Sequence, residues 1–61
     1  MKVKIDWASV KDNAFAMLGA FRKAARRQGY PQADIDRVVS EAKSGDYEHL
    51  VSVLMRNTVP E

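Results

Sequence analysis

The sequence predicts an all-α fold, a small three-helix domain, with a short N-terminal β-strand that would pair with the C-terminus or with a second subunit. Two observations carry this. Apolar residues recur at helical spacing in three stretches, at about 10–28, 32–44 and 46–57, after an extended N-terminus over 1–8. Glycine, proline and capping residues punctuate the chain between those stretches. With 61 residues, the chain has room for one domain, 1–61.

In the opening segment Val3, Ile5 and Trp7 alternate with Lys2, Lys4 and Asp6. Period two with β-branched and aromatic residues on one side reads as a strand. A lone strand cannot stay ordered, so it needs a second edge, either Asn57-Thr58-Val59 or the same strand of another copy. The competing reading is a frayed terminus with Trp7 tucked onto the helices, and alternation alone does not decide between them.

The first helix is expected to open at Ser9-x-x-Asp12, which has the form of a capping box, or at Asp12 itself. Ala14, Leu18, Phe21 and Ala25 then form an apolar stripe, flanked by Phe15 and Met17. Gly29 suits a left-handed helix end, and Pro31 prevents continuation. In the second helix Pro31 fits the first turn, Asp34 and Asp36 favour the opening turns, and Ile35, Val38, Val39 and Ala42 are the buried positions. Gly45 is expected to stop it. Asp46 is a suitable N-cap for the third helix, whose buried stripe is Tyr47, Leu50, Val51, Leu54 and Met55, and Pro60 limits its extent. Links this short make successive helices neighbours.

Composition narrows the function classes. A domain of this size buries only roughly 60% of its unfolded surface, so it calls for an extra support. There is no cysteine, which removes disulfides and most zinc sites, and His49 is the only imidazole, so no metal and no cofactor are expected. Self-association is the support left, and a homo-oligomer is the expectation. The longest uncharged run, Asn13 to Phe21, is far short of the ~20 residues that span a bilayer, and the N-terminus has no secretory apolar region. No membrane partner and a cytoplasmic location follow as expectations.

Two surfaces of the first helix stand out. Ala16, Ala20 and Ala24 lie at i, i+4, i+8 with Gly19 beside them, displaced from the Leu18/Phe21 stripe. Glycine inside a helix costs up to about 1 kcal/mol, so a compensating contact is expected: another subunit's helix packed on this small row, with Trp7 joining the interface. The second surface is basic. Arg22, Lys23, Arg26 and Arg27 put four positive charges within six residues, whereas residues 34–48 sum to −3, so the formal net charge of +2 hides a polar molecule. The cations read either as a solvated face paired with acids of the second helix, or, with Tyr30 beside them, as a site for an anion: nucleic-acid phosphate, an anionic small molecule or an acidic protein surface.

Two chemistries are disfavoured. The second and third helices resemble a helix–turn–helix, but Asp46 and Glu48 at the start of the third would repel a DNA backbone. His49 with Asp46, Glu48 and Ser52 lies along one helix, whereas a triad needs groups converging from different elements, so no enzyme activity is expected.

Asn13-Ala14-Phe15-Ala16 with Gly19, the Arg-rich Arg22–Arg27, and Ser44-Gly45-Asp46-Tyr47-Glu48-His49-Leu50 together resemble very short, mostly uncharacterised proteins encoded by phages and prophages. These commonly carry an N-A-F-A-x-x-G start and an S-G-D-Y-[DE]-H-L segment, and the resemblance spans about residues 3–57. It attaches no catalytic or binding residue. It does place Asn13 at or near the start of the first helix and Gly45-Asp46 at the junction before the third. It implies a protein in the cytoplasm of a bacterial host that works by binding: an anti-defence inhibitor or a sponge, acting on an acidic host protein or a signalling molecule. The alternatives are a nucleic-acid-binding accessory protein and a virion structural or assembly component.

Overall fold

Three helices form where the apolar spacing recurs: α1 (Ala14–Arg27), α2 (Gln32–Ala42) and α3 (Tyr47–Arg56). The computed structural model describes residues 1–61. The Asn13 side chain accepts from the Ala16 N–H at 2.8 Å and caps α1. The helix therefore starts later than residue 10, and Ser9-x-x-Asp12 is not its capping box. Ser9 instead ends a 3₁₀ turn, Trp7–Ser9, whose first residues are held by the Asp6 carboxylate accepting from the Ala8 N–H at 3.2 Å. At the other end, Gly29 has φ +88°; its N–H donates to the Arg26 carbonyl while that of Tyr30 donates to the Ala25 carbonyl, both at 3.1 Å. That pair is a Schellman closure, which needs the left-handed residue glycine supplies.

Pro31 is the N-cap of α2, one residue before the helix, and its carbonyl accepts from the N–H groups of Asp34 and Ile35. The helix ends at Ala42 with Lys43 as C-cap, earlier than residue 44. Gly45 does not take a left-handed conformation. Its lack of a side chain serves another purpose: a Cβ there would lie 2.8 Å from the His49 ring. The Asp46 carboxylate accepts from the His49 N–H at 2.9 Å and caps α3.

The extended N-terminal segment is a strand within this chain. β1 (Val3–Ile5) pairs in parallel with β2 (Thr58–Pro60), with Val3 opposite Thr58 and Ile5 opposite Pro60. The fold is therefore a small compact domain of three helices plus a two-stranded parallel sheet, and not purely all-α. The Val3 N–H reaches the Asn57 carbonyl at 2.9 Å. The free edge of β1 is closed by one side chain: the Gln28 amide accepts from the Lys4 N–H at 2.9 Å and donates to the Lys4 carbonyl at 2.7 Å. It meets the backbone as a neighbouring strand would, and it removes an open edge. Pro60, which has no N–H, sits in β2, where proline is tolerated because the strand lies at a sheet edge.

The core gathers from every element. Val3 of β1, Phe21 of α1, Ile35 of α2 and Val53 and Leu54 of α3 are completely enclosed, with Leu18, Ala25, Val39, Ala42 and Leu50 around them. Each helix thus buries the stripe its spacing encodes, with three exceptions. Phe15 is 88% exposed, and Tyr47 and Met55 are each 42% exposed. Thr58 is the one buried polar residue, and no buried side-chain nitrogen or oxygen lacks a hydrogen-bond partner. No helix is long and apolar enough to cross a membrane.

Candidate functional site

The outward side of α1 carries two stripes. Phe15, Arg22 and Arg26 follow i, i+7, i+11; Ala16, Ala20, Lys23 and Arg27 follow a second line beside them, and Gly19 lies between. Lys23, Arg26 and Arg27 are exposed and Arg22 is half-buried. None of the four forms an ion pair. The only two pairs in the molecule are Arg37–Asp34 at 2.6 Å and Arg56–Glu41 at 3.4 Å. The acids of α2 are engaged elsewhere, since Asp36 accepts from the Gln32 amide at 2.9 Å. No ion pair therefore forms between the basic cluster and the acids of the second helix.

Two hollows flank this basic end. Lys23 and Arg27 line a groove of about 180 Å³ floored by Ala20 and Ala24 and walled by Ser9 and Val10 of the N-terminal segment. Arg27 also borders a wide polar hollow with Lys4, Gln28 and Glu61. Lys4 was absent from the sequence-derived site, although its signal was present: alternation with Val3 and Ile5 puts it on the outer face of β1. Glu61 lines both hollows, and Asp6 joins it in the groove, so two acids stand near Lys23 and Arg27 without forming an ion pair.

Tyr30 adjoins the cluster in sequence but is half-buried, and its hydroxyl donates to the Lys2 carbonyl at 3.1 Å. It anchors the segment entering β1, so its phenol is not free for a ligand. The small row is likewise used inside the chain. Ala24 is 2% exposed and Ala20 packs against the core beneath the N-terminal segment. Ala24 is therefore covered from within the chain, whereas Ala20 is half-buried and floors the groove beside Ser9 and Val10. Ala16 is half-buried and Gly19 exposed; a Cβ at Gly19 would meet nothing within 4 Å. Trp7 is half-buried, with its Nε1 donating to the Thr58 hydroxyl at 3.0 Å.

His49 serves the end of α2. Its Nε2 lies 2.9 Å from the Glu41 carbonyl, and the Ser44 hydroxyl donates to that same carbonyl at 2.6 Å. A carbonyl only accepts, so the Nε2–H tautomer is the one that fits. The Ser44 oxygen and Nε2 are 3.3 Å apart with both protons directed at Glu41, an arrangement that caps a helix and leaves the serine unactivated. No three His, Cys, Asp or Glu side chains come together in a form that could hold a metal ion.

On the opposite flank the Tyr47 hydroxyl donates to the Asp12 carboxylate and also lies 3.4 Å from the Met17 sulfur. The bond to Asp12, then desolvation, then the carboxylate charge hold the Tyr47 phenol above its ordinary value of 10.0.

No family model matches this chain, and neither the curated proteins nor the solved structures yield a match.

Proposed function

We propose that this is a non-enzymatic binding protein that uses the basic end of α1 to hold an anionic partner. The observation that supports it most is the set Arg22, Lys23, Arg26 and Arg27, none of them in an ion pair, with Lys4 beside Arg27 at the wide polar hollow. Seven cations against two acids fall in residues 1–30, and three against six in residues 31–61, so positive charge is concentrated in the half of the chain that carries α1. Unpaired charges of one sign contribute little to fold stability and much to recognition of the opposite sign. The resemblance to short phage proteins supports a host component as the partner: an acidic protein surface or an anionic small molecule, bound in an anti-defence role.

The test is charge reversal at Lys23 and Arg27, both exposed, with circular dichroism checking that the fold is kept, since Asp6 and Glu61 share their groove. Capture of partners from infected-host lysate, read by mass spectrometry for proteins and small molecules, should be lost in K23E/R27E and kept in the wild type. Retention of every wild-type partner by the double variant overturns the proposal.

A second reading takes the anion as nucleic-acid phosphate. It is favoured by the spacing of the cations, since i, i+4 neighbours on a helix stand about 5–6 Å apart at Cβ and can follow a phosphate backbone. It predicts a gel shift that weakens steeply between ~50 and ~200 mM salt. No shift at the lower salt removes this reading.

A further inference from the structure

Two features have no role in the anion reading. Phe15 is 88% exposed, about twice as much as Tyr47 or Met55, the other exposed large apolar side chains. Beside β2 lies a cleft of about 340 Å³ lined by Ile5, Trp7, Met55 and Val59, with Asp6 and Glu61 between it and the groove of Lys23 and Arg27. Phe15 is not among the residues lining it, so the two surfaces do not meet within one chain.

We propose that these surfaces meet between chains: Phe15 of one copy seats in the Trp7–Met55 cleft of the next, with Arg22 and Arg26 of the first copy set against Asp6 and Glu61 of the second.

The chemistry of the two halves corresponds. The Trp7 Nε1 is already spent on Thr58, so the part of the indole facing the cleft is apolar. Met55 is 42% exposed, and its thioether is a favourable neighbour for an aromatic ring edge. The cleft volume is at the lower end of the roughly 300–1,000 Å³ typical of ligand pockets, a size suited to one aromatic side chain rather than an extended ligand. Arg22 and Arg26 share the Phe15 stripe and have no ion pair, and neither do Asp6 and Glu61. Each half thus carries an apolar centre and charges, free of ion pairs, of the sign opposite to the other's. Gly19, exposed with open space beyond it, lets the partner's cleft rim approach the helix closely. The contact differs from the α1-on-α1 pairing that the alanine row suggested. It keeps Trp7, Gly19 and Ala16 near the interface and leaves Ala24 in the core. Because it joins two different surfaces, it is a heterologous contact that builds a ring or an open chain of subunits. It draws on Arg22 and Arg26, which the anion reading also uses, and leaves Lys23 and Arg27 to that reading.

The test is a mixing experiment followed by sedimentation velocity from micromolar to millimolar protein. Phe15→Gln removes the inserted ring and Met55→Lys blocks the cleft; circular dichroism checks that both stay helical, and Val59→Lys replaces the cleft variant if Met55→Lys does not. The wild type should exceed the 6.9 kDa of one chain as concentration rises. Each variant alone should remain a single chain. Their equimolar mixture should form a 1:1 heterodimer and nothing larger, because only one intact ring and one intact cleft remain per pair. Three results overturn the proposal: a wild type that stays a single chain throughout, a cleft variant that associates like the wild type, or a mixture that fails to pair. Retained anion capture by both variants would show that Lys23 and Arg27 act separately from this contact.

Discussion

The indole Nε1 of Trp7 donates to the hydroxyl of Thr58 at 3.0 Å, and that hydroxyl donates onward to the Leu54 carbonyl at 2.9 Å. A side chain next to β1 is thereby tied through β2 to the last turn of α3. Thr58 is the one polar residue in the core, and both of its hydrogen-bonding roles are filled. Thr58→Val keeps the shape and removes the hydroxyl, leaving Nε1 half-buried without an acceptor. The expected loss is about 1–3 kcal/mol, the usual cost of stranding a buried donor. For a domain of this size it should lower Tm by roughly 4–8 °C per kcal/mol. Thermal unfolding followed by Trp7 fluorescence measures it, and an unchanged Tm would mean the bond contributes nothing.

Gln28 makes the only hydrogen bonds to the outer edge of β1, through both ends of its amide. Gln28→Ala should leave the three helices intact and expose the Lys4 N–H. Amide exchange at Lys4 is expected to accelerate well beyond any change at Val53 or Leu54 in the core. Equal acceleration at all three sites would indicate global destabilisation instead of a local edge effect.

Gly19 and Gly45 should respond in opposite directions to the same substitution. Gly19 lies within α1 with nothing within 4 Å of a built Cβ, so Gly19→Ala should stabilise by about 0.5–1 kcal/mol through helix propensity. At Gly45 the methyl would meet three atoms of the His49 side chain at 2.8–2.9 Å. Gly45→Ala should destabilise by about 1–3 kcal/mol, as forced overpacking does. Combining it with His49→Ala should cost less than the sum of the two single changes. Chemical denaturation of the four proteins decides, and strict additivity would reject the steric explanation.

The Asp12–Tyr47 bond predicts an alkaline signature. The carboxylate accepts the phenol proton and holds it, so the folded Tyr47 group ionises above its unfolded value. The neutral form is the one favoured by folding. The stabilisation is therefore complete below the unfolded value and is lost as pH rises through the raised folded one. Ultraviolet titration should show one phenol ionising late, and Asp12→Asn should bring that step down. A titration curve unchanged by Asp12→Asn would contradict the assignment.

How much of this could be read from the sequence follows from how local each signal is. Asp46 and Gly29 announced their caps because a cap is satisfied within three to five residues. The apolar stripes of Leu18, Phe21, Ile35 and Leu50 were legible for the same reason, since helical period is a local property. The pairing of Val3 with Thr58 was only one of three fates open to an alternating segment, because strand partners are chosen across the whole chain. That choice then bears on the alanine row: once β1 lies on α1, Ala24 is covered from within. Phe15 illustrates the converse. Its spacing placed it beside the buried stripe, yet no element passes over it. At the basic end, the run of four cations was plain in the sequence. Their lack of ion pairs, and the company of Lys4, Asp6 and Glu61, required knowing where α2, β1 and the C-terminus lie.

The parallel pairing of residues 3–5 with 58–60 also sets an order of events in folding. Contacts between α2 and α3 close loops of a few residues, whereas Val3 and Thr58 are separated by almost the whole chain, and closing a longer loop costs more entropy. The helical hairpin should therefore form early and the sheet last, with β1 adding little to the transition state. Until it docks, Val3 and Ile5 and the alanine floor of α1 are open to solvent together. Substitutions in β1 would then act mainly on the rate at which the native protein comes apart, and hardly on the rate at which it assembles.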